Sequence, residues 1–414
     1  MPGRLIQRVS EYDPTLHAPP RYRKACAYEA FLPDTVGGLS LRLDGGLAGL
    51  IAEAEAQIAE LNRTPAPALA PLARLLLRTE SIASSKVEGL QVDARTLARA
   101  EVAVDTGRSI GSDAAEILAN VDAMQLAIEG ATSHTRITPQ HLKEIHAVLM
   151  ARSQIADRAG RFRKTQGWIG GNDYNPCGAD FVPAPEDEIE PLVRDLCRFA
   201  NDDQLSPVVQ AAIAHAQFET IHPFDDGNGR TGRAMVQVLL RRRGLAHTFV
   251  PPISVALVSA KDRYIRGLTR FREDDDPAAW LEVFASAAAR SAHLARSYLT
   301  NVAALQETWR GQLEASSDPR ADAAAWAVID VLPGYPVITV AVAVAALEGS
   351  GRRRARAAVQ TAIDQLVDAD VLLPVGPSKR NRAWEASGLL DLVSGFEAGE
   401  LAPPIQRAPE RGLG

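Results

Sequence analysis

The 414-residue sequence contains few aromatic side chains and little cysteine. Aromatic residues make up 5% of the chain, and there are 3 cysteines and 4 methionines. An odd number of cysteines without metal-ligand spacing argues against both a zinc site and a framework of disulfides. We therefore expect Cys26, Cys177 and Cys197 to be free thiols in a reducing compartment.

Long apolar segments and an excess of positive charge are also absent. No apolar run reaches the length that a membrane span needs, and the first residues lack the apolar core of a signal peptide. The formal net charge is -6 and the sequence pI is about 5.8, so nothing indicates a general attraction to nucleic acid. We expect a cytoplasmic protein without a membrane partner.

The chain is rich in Ala, Leu and Arg, which favours helix over sheet. Its length predicts two or three domains, and the fold class predicted is mainly α. The first forty residues contain proline turn signals and are expected to be irregular. Helices are predicted from the apolar periodicity and capping signals at 47–61, 72–87, 114–128, from Thr138 onward, 186–200, 207–220, 251–280 and 281–299.

A glycine-rich stretch at 160–185 interrupts the helical pattern. Apolar residues such as Trp168, Ile169, Phe181 and Val182 flank a polar tip. This arrangement predicts a β-hairpin. A surface hairpin without a functional role remains an alternative for this segment.

The most informative segment is 222–233, His-Pro-Phe-Asp-Asp-Gly-Asn-Gly-Arg-Thr-Gly-Arg. It combines a proton acceptor, a carboxylate, a glycine-flanked amide and two arginines. Glycines allow backbone conformations in which successive N–H groups point at one anion. The apolar run at 234–240 predicts that a helix follows the loop, and a helix N-terminus attracts negative charge. The segment therefore predicts a phosphate-binding site.

The same segment fits the pattern H-x-F-x-D/E-G-N-G-R-x-x-R at every specified position and resembles the signature of the Fic family. A lone glycine-rich turn would carry little weight, but so many specified positions rarely agree by chance. The resemblance implies a Fic-type helical core over about 110–300 with the hairpin at 160–185 as a flap. The matching residues are His222, Phe224, Asp226, Gly227, Asn228, Gly229, Arg230 and Arg233.

Each residue of this segment can be given a chemical role. His222 is expected to accept the proton of an attacking hydroxyl, because histidine ordinarily titrates near neutrality. Asp226 is expected to hold Mg²⁺, with phosphates and water completing its coordination. The nucleotide phosphates are expected to bind main-chain donors and two guanidinium groups, which come from Gly227, Asn228, Gly229, Arg230 and Arg233. The neighbouring side chains are expected to be structural or solvated: His215, Glu219, Phe224 and Asp225.

The reaction that the resemblance implies is transfer of AMP from ATP to a Ser, Thr or Tyr hydroxyl of a protein, which could be the chain itself. The Doc-like kinases of the same superfamily turn the nucleotide round and lack the second glycine of the loop. Gly229 therefore favours adenylylation. Fic enzymes that use another nucleotide, or that remove AMP, stay open as alternatives, and so does a homodimer.

A second pattern lies upstream, at Ser84-Ser-Lys-Val-Glu88-Gly89. It resembles S/T-x-x-x-E-G/N, the inhibitory-helix pattern of Fic proteins, and falls in a predicted helix at about 72–90 of an N-terminal region 1–109. Ser84 and Glu88 would share one helical face. The resemblance implies that Glu88 pairs with Arg233 and holds ATP in a non-productive pose. A simpler interpretation is an exposed Ser and Glu with Gly89 as a helix C-cap.

Residues 320–395 show a different pattern. Helices predicted at 323–331, 339–347 and 353–369, followed by two strand-like segments, resemble a winged-helix module. Basic clusters at 352–356 and 379–382 predict a DNA-binding regulator as the alternative function, although protein contacts or dimerisation would explain them equally well. The final residues, 396–414, are rich in Pro, Gly and charge and are expected to be a disordered tail.

Overall fold

The structure is a computed structural model that describes residues 3–63, 70–105, 107–132, 134–274, 277–317, 319–375 and 382–400. The chain opens with the strands β1 (Gly3–Ser10) and β2 (Cys26–Pro33). The helices that follow are α1 (Gly45–Leu61), α2 (Ala70–Val87), α3 (Ala94–Asp105), α4 (Ser112–Glu129), α5 (Pro139–Met150), α6 (Ile189–Ala200), α7 (Pro207–Ile221), α8 (Asn228–Arg242), α9 (Ile253–Ser259), α10 (Lys261–Glu273) and α11 (Ala278–Ser317). The C-terminal elements are α12 (Ala324–Val331), β3 (Val337–Ile338), α13 (Val340–Gly349), α14 (Arg356–Asp368), β4 (Leu372–Pro374), β5 (Trp384–Ala386) and α15 (Leu389–Glu397).

The residues cluster into two compact units, each assembled from separate stretches of sequence. The first contains Met1–Ala56, Asp122–His247 and Ala260–Ala289. The second contains Gln57–Val121, Thr248–Ser259 and Arg290–Gly414. The predicted limits at 109 and 300 do not coincide with these units, because much of the N-terminal region clusters with the C-terminal part of the chain. The mainly α fold class is confirmed.

Two helices, α7 and α8, form the centre of the first unit. Nearly all of their residues are buried, and they approach closely at Gly232, where an added Cβ would lie 2.9 Å from His215 Nδ1. The start of α11 joins this core, because Trp280 Nε1 donates to the Ala212 carbonyl at 2.8 Å. Helix α5 begins as predicted, with the Thr138 side chain accepting a hydrogen bond from a first-turn amide.

Two predictions for the first unit were wrong. The first forty residues are not irregular throughout, because β1 and β2 pair antiparallel along their whole length. The β-hairpin predicted at 160–185 reduces, in this fully described segment, to one antiparallel bridge between Ile169 and Phe181. Its tip is a compact turn, since the Asn172 side chain accepts hydrogen bonds from the amides of Tyr174 (2.9 Å) and Asn175 (3.0 Å).

The prediction of three free thiols was also wrong. Cys26 at the start of β2 and Cys177 near the tip of the 160–185 segment form a disulfide, with their Cα atoms 6.3 Å apart. The remaining cysteine, Cys197, is free and buried in α6, and burial raises the pKa of its thiol to about 12. An odd cysteine count leaves room for one pair, and sequence spacing gave no hint of it because 151 positions separate the partners.

The second unit contains the predicted inhibitory helix, α2. Its Ile82 packs in an apolar cluster with residues of α3 and the start of α4. Glu80, on α2, accepts hydrogen bonds from the amide (2.9 Å) and hydroxyl (2.6 Å) of Ser254 at the N-terminus of α9. A carboxylate in this position is stabilised by the helix dipole, so Glu80 joins the two helices.

The C-terminal elements of the second unit form what we call the C-terminal module, residues 324–397. Its antiparallel sheet has the order β3-β5-β4, and α12, α13 and α14 precede the last two strands. Helix α14 begins at Arg356, so most of the predicted arginine run precedes it. Helix α15 includes residues 396–397, which corrects the predicted start of the tail. Residues 379–381 and 401–414 lie outside the described residues, and the winged-helix interpretation stays a prediction.

No helix in the described part of the chain combines the length and the hydropathy that a membrane span requires.

Candidate active site

The predicted general base, His222, lies at the turn between α7 and the loop that leads to α8. It adopts the left-handed conformation (φ 51°, ψ 61°), and its amide donates to the Phe218 carbonyl at 2.9 Å. A histidine in this region of backbone space is uncommon and is maintained only where the surroundings impose it. The imidazole Nδ1 lies 4.0 Å from Glu219 Oε2, one helical turn earlier.

The surroundings that impose this turn centre on Arg163. Its Nε donates to the His222 carbonyl at 2.9 Å, Nη1 donates to the Thr165 carbonyl at 2.9 Å, and Nη2 donates to the Ala184 carbonyl. Its own amide donates to the Pro223 carbonyl at 2.9 Å. The guanidinium is buried, and burial lowers the pKa of Arg163 to about 10. Arg163 therefore binds the carbonyl groups of His222 and of the residue that follows it.

A second buried side chain, His146 on α5, holds the other half of the loop. Gly160 donates its amide to Nδ1 at 2.9 Å, which places the proton of the neutral ring on Nε2, and Nε2 lies 3.0 Å from the Asp226 carbonyl. The ring stacks on Phe224 with centroids 3.8 Å apart. Burial lowers the pKa of His146 to about 4, so the ring is neutral at physiological pH.

The signature residues Gly227 and Asn228 shape the loop itself. Gly227 has φ 72°, and an added Cβ would lie 2.8 Å from Met150 Sδ, so no other residue fits without a shift. The Asn228 side chain both accepts from the Phe224 amide and donates to the Phe224 carbonyl, each at 2.9 Å. Because these hydrogen bonds occupy the side-chain amide of Asn228, its main-chain N–H is the group that can bind a ligand.

Helix α8 begins at Asn228, immediately after this loop. The first-turn amides of an α-helix have no partner within the helix. Here they belong to the glycine-flanked part of the signature. This position and the dipole make the start of α8 suitable for phosphate, as predicted from the sequence.

The two carboxylates of the loop differ in environment. The Asp225 side chain is mostly covered and lies 3.7 Å from Arg158 Nη1. The Asp226 side chain is 61% exposed; its Oδ1 accepts the Gly227 amide at 2.6 Å, and its Oδ2 lies 3.8 Å from Arg230 Nη2. Asp226 is therefore the carboxylate that an incoming cation can reach.

The arginines of the signature, Arg230 and Arg233, lie in the first two turns of α8 and are both buried. Arg233 Nη1 lies 3.5 Å from the Tyr264 hydroxyl, which also contacts His215 Nε2 at 2.9 Å. Burial and the positive charge of Arg233 lower the pKa of His215 to about 3, so this imidazole adds no charge beside the arginine. Buried guanidinium groups in a dry environment attract phosphate more strongly than exposed ones.

The predicted inhibitory residues lie in the second unit. Ser84 is buried within α2, whereas Glu88 is exposed and follows the last residue of the helix. Gly89 has φ 92°, and the Leu90 amide donates to the Ser85 carbonyl at 3.2 Å, as in a glycine C-cap. The simpler interpretation is confirmed for the exposed Glu88 and the Gly89 C-cap and wrong for Ser84, which is buried. The inhibitory role stays a prediction.

Sequence reasoning missed His146 and gave Arg163 no role in catalysis. Both act on carbonyl groups of the signature loop from positions about 60 to 80 residues upstream. Backbone acceptors leave no residue-specific pattern in the signature itself. The available signals were a histidine on the apolar face of α5 and an arginine directly after a glycine-containing turn.

Comparisons with known proteins give the fold and the family. The structure superposes on a crystal structure of a Fic family protein from Desulfovibrio desulfuricans G20 with a TM-score of 0.52 and 20% identity, covering 84% of this chain and 98% of that one. The fold is therefore that of a Fic family protein. Residues 136–240 match the Fic/DOC family, and residues 48–129 match the Fic/DOC family N-terminal region.

Curated relatives share part of this region. The chain is 28% identical over 145 residues to protein adenylyltransferase fic-1 of Caenorhabditis elegans, which is 34% of this chain and 25% of that protein. It is 31% identical over 160 residues to protein adenylyltransferase Fic of Drosophila erecta, which is 38% of this chain and 30% of that protein. The chain thus spans about a quarter to a third of the length of these relatives.

Proposed function

We propose that the chain is a protein adenylyltransferase that transfers AMP from ATP to a Ser, Thr or Tyr hydroxyl of a protein. The observation that carries this proposal is the loop between α7 and α8. It joins a left-handed His222, an exposed Asp226 carboxylate and buried Arg230 and Arg233 at one helix N-terminus. The names of the curated relatives agree with this activity.

In the proposed reaction the target hydroxyl gives its proton to the imidazole of His222. The hydroxyl oxygen then forms a bond to the α-phosphorus, and the bond from that phosphorus to the β-phosphate bridging oxygen breaks, so pyrophosphate leaves. The main-chain donors of Gly227, Asn228 and Gly229 and the guanidinium groups of α8 hold the phosphates. A positioned general base contributes a factor of about 10² to 10⁴ in rate.

The donor set also fits the predicted Mg²⁺. Among the described residues no group of three or more His, Cys, Asp or Glu side chains could hold a metal, so any cation must take further ligands from elsewhere. Mg²⁺ commonly binds one or two carboxylates and completes its shell with phosphate oxygens and water. Asp226 would hold it through one oxygen, and the ion would neutralise phosphate charge.

We also propose that Glu88 inhibits this site by pairing with Arg233. The support is the sequence pattern around Ser84, which resembles the inhibitory-helix pattern of Fic proteins. A carboxylate bound to Arg233 would occupy the place of a nucleotide phosphate. The wild-type protein would then be nearly inactive, and Glu88→Gly would release it.

The target segment is proposed to bind beside the 160–185 segment. The bridge at Ile169 and Phe181 shows that this backbone can pair in an extended form, and an extended peptide could add to it as a further strand. A second copy of the chain is one such target, which would make the protein its own substrate and dimerisation a step in its regulation.

The test uses Glu88→Gly protein incubated with Mg²⁺ and ATP labelled at either the α- or the γ-phosphate, with and without cell lysate. We expect protein-bound label from α-labelled ATP only. Label from γ-labelled ATP would indicate the kinase orientation, and no label from either would favour another nucleotide or removal of AMP. If the protein also takes no label from labelled UTP or CDP-choline, AMP removal would be the alternative to test next.

DNA binding through the C-terminal module is the second candidate. The order of three helices and a small sheet favours it, as do the arginines before α14. However, Arg352 pairs with Asp330, and Arg353 lies 3.6 Å from Glu348, so part of this charge is already balanced within the module. Salt-dependent retention on duplex DNA would support the regulator, and no retention at low salt would exclude it.

The cytoplasmic location predicted from the sequence conflicts with one observation, the Cys26–Cys177 disulfide. Disulfides persist mainly in oxidising compartments. The Cys26–Cys177 bond therefore favours such a compartment over the predicted reducing one. Fractionation of the native protein, with its thiol state trapped at lysis, distinguishes the two.

A further inference from the structure

The segment that carries Glu88 is attached to the C-terminal module on both sides. Before it, Lys86 Nζ lies 2.6 Å from Glu397 Oε2, at the end of α15. After it, Arg95 Nη2 lies 2.8 Å from Glu385 Oε1 on β5 and 3.1 Å from Asp391 Oδ1 on α15. The loop that contains Glu88 is thus preceded and followed in sequence by a residue that forms an ion pair with the C-terminal module.

The first contact is the one that is more shielded from solvent. The Glu397 side chain is only 4% exposed and that of Lys86 is 23% exposed. Burial raises the pKa of Glu397, and the charge of Lys86 acts against this rise, so the pair depends on both partners. Removing one partner of a buried pair leaves an uncompensated charge and is more disruptive than losing an exposed pair.

The module side of these contacts is itself fixed. Phe396 in α15 stacks on Tyr298 of α11 with ring centroids 4.5 Å apart. Trp309, also on α11, donates its indole N–H to the Ser387 carbonyl at 3.1 Å. Helix α15, whose Glu397 pairs with Lys86, is therefore itself packed against α11.

The other end of α2 also contacts the module. Arg74 Nε donates to the Gly334 carbonyl at 3.2 Å, and its guanidinium lies over the Tyr335 ring at 4.7 Å from the centroid. An added Cβ at Gly334 would lie 3.1 Å from the Pro71 backbone, so the two segments are in close contact. Helix α2 is held by the module at both ends, and its position follows the module.

We infer that the C-terminal module positions Glu88 for inhibition, with Lys86–Glu397 and Arg95–Glu385/Asp391 as the positioning contacts. This inference rests on the proposed inhibition by Glu88. A ligand that displaced α15 or β5 would release the Glu88 loop and raise transferase activity without touching the nucleotide site. Weakening either contact by mutation should do the same.

The test compares Glu397→Gln with wild type for labelling from α-labelled ATP. Contacting residues couple by amounts that correspond to roughly two- to a hundredfold, so we expect labelling to rise by about two- to tenfold. In a Glu88→Gly background the same substitution should change labelling by less than about twofold, because nothing is left to position. Glu282→Gln, which removes an exposed ion pair between α10 and α11, is the matched control and should leave both backgrounds unchanged.

Asp391→Asn is the second variant, because its side chain is 78% exposed and its loss cannot disturb the core. We expect a smaller increase in the same direction. Unchanged labelling in both variants, or an equal rise in the Glu88→Gly background, overturns the inference.

Hydrogen exchange separates this inference from the proposed function. Amides of residues 86–95 should exchange faster in Glu397→Gln than in wild type or Glu282→Gln, and unchanged exchange would contradict the positioning role. This readout does not depend on activity. If Glu88→Gly takes no label, the proposed function fails, while the exchange result still decides whether the module holds the Glu88 segment.

Discussion

Replacing Arg163 by Met in a Glu88→Gly background should abolish most of the transferase activity, although Arg163 contacts only backbone. Three of its donors bind carbonyls that flank or support the His222 turn. Hydrogen bonds from charged groups contribute about 1.5–3 kcal/mol each. The burial that lowers the pKa of Arg163 from 12.5 to about 10 costs about 3 kcal/mol at about 1.4 kcal/mol per pH unit.

The difference leaves a net loss of about 1 to 6 kcal/mol when the side chain is removed. We expect this loss to displace the His222 turn and not to unfold the protein, because the methionine still fills the volume of the apolar part of the Arg163 side chain. A displacement of about 1 Å at a catalytic group costs about a hundredfold in rate. Initial labelling rates from α-labelled ATP should therefore fall by about that factor.

Nucleotide affinity should change much less, because the arginines proposed to bind phosphate lie on α8. The assay therefore measures labelling rate and ATP binding on the same preparations, with circular dichroism as a check of folding. Arg161→Met is the matched control, since Arg161 is two residues away and exposed. A folded Arg163→Met protein with an unchanged rate would refute the positioning role. An affinity loss equal to the rate loss would mean that Arg163 shapes the phosphate site instead.

Three further predictions follow from buried groups. The pKa of His146 falls from 6.5 to about 4 on folding, so between these pH values only the unfolded chain binds the proton. The free energy of unfolding should therefore decrease by about 3 kcal/mol as the pH is lowered from 6.5 to about 4. His146→Gln should reduce this dependence of the unfolding free energy on pH. Gly232→Ala should lower the melting temperature because overpacking costs about 1–3 kcal/mol, whereas Gly311→Ala, with open space around it, should raise it or leave it unchanged. Thiol titration of the native oxidised protein should find no reactive group, and denaturation should expose only that of Cys197; three thiols after denaturation without reductant would contradict the disulfide.

The sequence was sufficient for the helices that carry regular apolar periodicity or a clear cap. The Thr138-Pro139 start of α5 is an example. It was insufficient where polar residues are buried. The helix predicted after the signature loop is confirmed as α8, but its first turns bury Arg230 and Arg233 instead of the apolar side chains on which a periodicity argument depends.

Strands were the least predictable elements. In β1 the polar residues Arg4, Gln7 and Arg8 break the apolar alternation, and the strand is defined by its backbone pairing with β2. Around 160–185 the opposite error occurred. The apolar flanks suggested two strands, but the side chain of Asn172 organises the tip into a turn and limits the pairing to one bridge.

The site was predictable to the extent that its chemistry lies within one short segment. The signature gave the candidate base, the cation ligand and the phosphate-binding groups. It could not give the side chains that hold this segment in place, because Arg163 and His146 reach it from elsewhere in the fold and bind carbonyl oxygens that every residue carries. It also gave no information on the contacts that connect α2 to α15.

We propose that His222 catalyses AMP transfer and that Glu88 inhibits it. Intact-protein mass spectrometry after incubation with Mg²⁺ and ATP tests this most directly, on wild type, Glu88→Gly and Glu88→Gly/His222→Ala with a lysate or purified target present. We expect AMP adducts with Glu88→Gly, few with wild type and none with the double variant. Equal adducts in wild type and Glu88→Gly would contradict the inhibition, and adducts that persist without His222 would contradict the assignment of the base.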